Sequence, residues 1–94
     1  MKYTIEYHPF VLEKDIPKLS KSVRVRLQRD IENKLLSYPD KFGKPLRGSL
    51  KGYWKLRSGD YRVIFRVMKN VIRIFIIAHR ALVYQDIEKR TFDN

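Results

Sequence analysis

Two hydrophobic periods run through this chain. In "KYTIEY", Tyr3, Ile5 and Tyr7 alternate with polar neighbours, the period of two expected of a half-buried strand. "HPFVLEKDIP" then predicts a short helical turn that ends before Pro17, where the ring interrupts helical bonding. Ser20 is the kind of residue that caps a helix N-terminus. Behind it Val23, Leu27, Ile31 and Leu35 recur every four residues, a single apolar stripe on an otherwise charged helix. Pro39, Gly43 and Pro45 in "SYPDKFGKP" stop that helix. The stripe has two readings, a partner-binding groove or core packing. A small sheet needs a covering helix, which favours the core.

The second half switches to strands. "GYWKLR", "YRVIFRV" and "VIRIFIIAH" are separated by "SGDY" and "MKN", both hairpin signals. Two-residue turns at Gly59-Asp60 and Lys69-Asn70 set a register. The first puts Arg57 opposite Arg62, Leu56 opposite Val63 and Trp54 opposite Phe65. The second puts Val67 opposite Ile72, Phe65 opposite Ile74 and Val63 opposite Ile76. One face then collects Trp54, Leu56, Val63, Phe65, Val67, Ile72, Ile74 and Ile76 as the core. The other carries Lys55, Arg57, Arg62, Arg66, Arg73 and His79, with Tyr53, Phe75 and Ile77 among them. Slipping by one residue would exchange the faces and bury the arginines. Like charges directly opposed destabilise a sheet, so stability alone would not select Arg57/Arg62 or Arg66/Arg73. "AHRALVYQDIEKR" closes the pattern as a turn and a short C-terminal helix, with Tyr84 one helical turn after Arg80.

Charge sharpens this picture. The net charge is +11, and from Lys41 to Gln85 eleven Lys and Arg residues face one acid, Asp60. Such density points to a polyanionic partner, nucleic acid or an acidic protein; a merely solvated basic surface is the plain alternative. With 94 residues and 44% apolar content, one packed domain spanning 1–94 is expected. The absence of cysteine excludes a disulfide framework or thiolate metal site and fits a reducing cytoplasm. No stretch approaches the ~18 apolar residues of a membrane span, and "MKYTIEYHPF" lacks the apolar core of a signal peptide. The expectation is a cytoplasmic protein with no membrane partner.

Several chemistries find no support in the residues. Four scattered glycines form no phosphate loop, and no Ser/His/Asp nucleophile motif is present. His8 and His79, without cysteine or clustered carboxylates in the basic half, provide no zinc ligand set, so neither a metal nor a cofactor is expected. Metal-free cleavage of RNA fits better. It activates the 2′-hydroxyl against the neighbouring phosphorus, and needs a proton acceptor, cations for the crowded oxyanion and an acid for the leaving oxygen. A lysine among other cations suits the first role, arginine clamps phosphate, and Tyr or His positions a splayed base.

"PLRG" (45–48), "LRSGDYRVIF" (56–65) and "HR…VY" (79–84) together resemble the RelE/ParE superfamily of type II toxin–antitoxin toxins. The likeness spans nearly the whole chain. It implies an α+β fold: a small twisted antiparallel sheet with two N-terminal helices on one face and a short C-terminal helix. RelE-type members cut mRNA in the ribosomal A site without a metal and are silenced by a cognate antitoxin. Carried over by position, the catalytic set falls on Lys55, Arg57, Arg62, Arg80 and Tyr84. Lys51, Tyr53, Arg66 and His79 are the accompanying substrate-binding residues. Where some members have a lysine two residues before Lys55, this chain has Tyr53, and Lys51 shares its strand parity. The expected partners are therefore a cognate acidic antitoxin, mRNA and the ribosome. The ParE branch shares the fold but acts on DNA gyrase, and a plain basic nucleic-acid-binding module is the non-enzymatic alternative.

Overall fold

In the computed structural model, which describes residues 2–92, a five-stranded sheet separates two helical layers of unequal size. In chain order the elements are β1 (Thr4–Tyr7), α1 (Lys21–Asp30), α2 (Pro39–Phe42), β2 (Lys44–Pro45), β3 (Trp54–Ser58), β4 (Tyr61–Met68), β5 (Val71–His79) and α3 (Val83–Phe92). The sheet order is β1-β5-β4-β3-β2. The α+β class is as expected, but the sheet is mixed, because β1 lies parallel to β5 while the other neighbours are antiparallel. The helical segments after β1 carry the chain to the far edge. The β2–β5 meander then walks back until β5 meets β1.

Helical structure does not stop before Pro17. A π-helical turn, Val11–Asp15, runs into a 3₁₀ turn, Ile16–Lys18, that contains Pro17. The proline sits at the start of the new turn, where no N–H is needed. Ser20 caps α1 as expected, its Oγ accepting from the Val23 N–H at 3.3 Å. Beyond Asp30 the helix loosens into a second π-helical stretch, Ile31–Leu35. This accounts for the four-residue stripe. Each step of four overshoots a 3.6-residue turn by about 40°, and the wider winding takes up the drift. Leu27, Ile31 and Leu35 all stay buried and Val23 half-buried.

These residues join Val11 and Leu19 against Leu56, Val63, Phe65, Ile72, Ile74 and Ile77, with Trp54, Tyr61 and Val67 at the margin. That is the α1 face of the sheet. Both hairpin turns form as expected, with Arg57 opposite Arg62, Trp54 opposite Phe65 and Phe65 opposite Ile74. One pairing differs: Val63 faces Ile77 instead of Ile76. The ladder shifts between Ile64 and Phe65, so Phe75 is an extra residue on β5. A bulge of this kind reverses the parity of everything after it. Ile77 therefore enters the α1 core, while Ile76 turns to the opposite face.

That opposite face is not an open basic plain. Val83 and Ile87 of α3 are buried against Ile64, Phe75, Ile76 and Ala78, a second core with Leu46, Leu50 and Tyr53 around it. Complete burial of each such side chain is worth about 1.5–3 kcal/mol. The far end of α3 is fixed by Arg90, whose Nη1 and Nη2 donate to Asp15 Oδ2 and Oδ1 at 2.7 and 2.8 Å. Among the described residues, no helix is long and apolar enough to cross a membrane.

Candidate functional site

The β3–β4 turn is held from below by α1. Ser58 Oγ donates to Asp30 Oδ2 at 2.6 Å. The Arg26 guanidinium lies so close to Gly59 that a Cβ there would come within 2.7 Å of Nη2. Gly59 has φ +58°, a left-handed conformation that calls for glycine, whereas the flexible Arg26 head could shift to admit a Cβ. Above this clamp stand Arg57 and Arg62, direct cross-strand partners. Arg62 Nη1 donates to the carbonyls of Gly59 (2.9 Å) and Tyr61 (3.0 Å), which folds its head back over the turn. Arg57 projects into solvent. The Arg80 N–H donates to the Asp60 carbonyl at 2.7 Å, bringing the end of β5 to the same turn. Its Nε is 3.7 Å from Asp60 Oδ1, with both side chains largely exposed. Such a pair is screened and contributes little energy, so Arg80 is free to meet an anion.

Lys55 and Tyr84 complete the cluster. Lys55 Nζ donates to the Tyr84 hydroxyl at 3.1 Å and lies 5.7 Å from the ring centroid. Tyr84 follows Val83, which is buried under the sheet, so docking of α3 delivers the tyrosine to the lysine. Tyr84 remains 52% exposed and open to a planar ligand. Lys44 of β2 is the direct partner of Lys55 on its other side. Lys44/Lys55, Arg57/Arg62 and Arg66/Arg73 are thus three like-charge cross-strand pairs on one face. Each costs stability until an anion arrives. The arrangement offers a cation paired to a phenol, two arginines and a third from just beyond β5, which suits binding of a phosphodiester.

Not every expected residue joins this group. The β5 bulge turns His79 to the α1 face. There it meets Tyr61 edge-on at 5.6 Å and accepts the Ala81 N–H on Nδ1. Lys51 lies outside β3, at the end of the 3₁₀ turn Gly48–Leu50, so strand parity does not place it beside Lys55. Tyr53 is on the basic face, packed against Phe75 at 5.1 Å and covered by the Arg66 guanidinium at 5.1 Å. The sequence reading missed Lys44, because a two-residue strand has no periodicity to detect. It also missed Asp15 and Arg90, whose pairing across 75 positions leaves no local trace. Among the described residues, no group of three or more His, Cys, Asp or Glu is arranged to hold a metal ion.

Residues 6–84 match the family model of the ParE toxin of type II toxin–antitoxin systems. The chain belongs to the RelE/ParE superfamily of toxins. This toxin is 32% identical over 74 residues to Toxin RelE of Mycobacterium tuberculosis, covering 77% of this chain and 76% of the relative. It is 29% identical over 87 residues to Toxin RelG of the same organism, covering 90% and 99%. Its fold resembles that in the toxin–antitoxin complex RelBE2 of Mycobacterium tuberculosis, with TM-score 0.79, 27% identity and coverage of 85% and 100%. It also resembles a free E. coli toxin RelE mutant, with TM-score 0.70, 26% identity and coverage of 96% and 98%.

Proposed function

We propose that this toxin is a metal-independent, ribosome-dependent mRNA endoribonuclease of the cytoplasm. The observation that carries the reading is the Lys55–Tyr84 contact at 3.1 Å, made beside Arg57 and Arg62 by elements far apart in sequence. In the proposed reaction the 2′-oxygen bonds to phosphorus and the bond from phosphorus to the 5′-oxygen breaks. The 2′ proton passes to a base, and the departing 5′-oxygen takes up a proton. Arg57, Arg62 and Arg80 hold the phosphate and its added charge. Lys55 is the group nearest to Tyr84 that can act at the reacting oxygens, as base or as charge stabiliser, and the Tyr84 face positions a base. Tyr53 and Arg66 extend the RNA-binding surface along β3 and β4. A cognate antitoxin, acidic to match the net charge of +11, covers this surface in the silent state. The relatives solved as RelBE2 and as E. coli RelE with a RelB peptide support such a partner.

Primer extension on mRNA from cells expressing the toxin tests the reading, with codon-phased cuts as the expected result. Arg62→Ala should lower cleavage on the order of 10²-fold or more, as for loss of one oxyanion stabiliser. The family match described as ParE favours a second reading, inhibition of DNA gyrase without RNA cleavage. Intact transcripts with gyrase-dependent DNA breaks would establish that alternative and exclude the first.

A further inference from the structure

A separate hollow opens on the same face, beyond the Lys55–Tyr84 pair. His8, Tyr53, Arg66, Met68, Arg73 and Phe75 line a cavity of about 290 Å³. Its walls combine two guanidinium groups with two aromatic rings. Arg66 and Arg73 are cross-strand partners, so two positive charges converge without an acid between them. Arg73 Nε is buried yet has no hydrogen-bond partner, a donor left unused by the protein. The contact from Arg73 Nη1 to Glu6 is long, 3.5 Å, and exposed. The ring of His8 adds a neutral edge, since its Nδ1 accepts the Phe10 N–H at 3.1 Å and its Nε2 then carries the proton.

The position of the hollow is informative. Tyr53 and Lys55 are two residues apart, about 6.6 Å along an extended chain, and share one side of the sheet. A strand of RNA held at Lys55 and Tyr84 would bring its next nucleotide to Tyr53. The bulge at Phe75 shapes the floor of this site, where the buried ring of the extra residue meets Tyr53 at 5.1 Å and His8 at 5.9 Å. Aromatic platforms flanked by arginines recognise single-stranded nucleotides with little sequence preference.

We propose that this hollow is a second nucleotide subsite, in which the Arg66 guanidinium, lying over Tyr53, stacks on a base adjoining the cleaved bond and Arg73 takes its phosphate. The inference rests on the RNA-cleaving reading above. It adds a grip on substrate outside the reacting centre, with Arg73 as the residue that distinguishes it.

Binding of the purified toxin to a fluorescent single-stranded RNA oligonucleotide tests the inference, with anisotropy followed across a series of salt concentrations. Arg73→Ala should weaken binding about tenfold and reduce the slope of log affinity against log salt by about 1, equally for oligonucleotides of different sequence. Glu6→Gln, which releases Arg73 from its ion pair with Glu6, should tighten binding. A purely structural role for Arg73 gives the opposite sign or no change for Glu6→Gln. Unaltered affinity and salt slope in Arg73→Ala, or no RNA binding by the wild-type toxin, overturns the subsite. Failure of the function is read separately, as intact mRNA in translating cells. Cleavage by a toxin whose RNA binding ignores Arg73 removes the subsite and leaves the nuclease.

Discussion

Asp15 links the two helical layers, and removing it should weaken the whole domain. Its carboxylate accepts two bonds from Arg90, at 2.7 and 2.8 Å, and a third from the Ile77 N–H at 3.0 Å. The side chains are 8% and 10% exposed, so water cannot replace what is lost. Among the described residues, Asp15→Ala leaves the guanidinium enclosed with the neutral Phe75 carbonyl, 3.2 Å away, and the Phe10 ring at 5.7 Å, and it orphans the Ile77 N–H. Breaking a buried pair from one side costs about 3–5 kcal/mol. A domain of this size has about 5–15 kcal/mol in total, and each kcal/mol shifts Tm by about 4–8 °C, so a fall of at least ~12 °C is expected. Thermal and urea unfolding followed by circular dichroism would measure it. Amide exchange should show α3 loosening first, because Arg90 fixes its far end. The double variant Asp15→Asn/Arg90→Met keeps an acceptor for Ile77 and leaves no buried charge, so it should recover most of the loss. A loss below about 1 kcal/mol for Asp15→Ala, or a double variant as unstable as the single, would refute the reasoning.

Other expectations follow from single positions. Lys69 holds a left-handed φ of +57° at the β4–β5 turn, so Lys69→Gly should raise stability by about 0.5–1 kcal/mol in urea unfolding. A Cβ on Gly43 would lie 2.6 Å from Phe65 Cζ and 2.8 Å from the Pro39 carbonyl; Gly43→Ala should cost about 1–3 kcal/mol by the same measurement. Burial, then the charges of Arg73 and Arg90, push the His8 imidazole below its ordinary value, against a smaller opposing pull from Asp15. Because the unfolded chain takes up this proton first, the contribution is complete above about pH 6.5 and is lost as pH falls toward the lowered value. His8→Gln should flatten that part of the stability–pH curve.

Much of the architecture was legible because its determinants are local. Alternation named the faces of β3 and β4, and the two-residue turns set Arg57 against Arg62 and Phe65 against Ile74. Positive charge without acids pointed to a polyanion, and the motifs from Pro45 to Tyr84 pointed to the superfamily. The stripe on α1 identified its buried side, although its spacing concealed a change from α to π winding.

What the sequence left undecided lies where no polar residue marks a face. Residues 74–78, "IFIIA", are apolar without interruption, so alternation there cannot show whether a residue has been inserted. Tertiary packing decided it: α3 covers the second face, which lets Ile76 and Ile77 be buried on opposite sides and moves His79 away from the basic group. The same docking brings Tyr84 to Lys55 and Arg90 to Asp15. The chain alone determined which residues could bind an anion. Only contacts between distant segments decided which of them stand together, because burial against α3 is a property of the assembled layers and not of any short stretch.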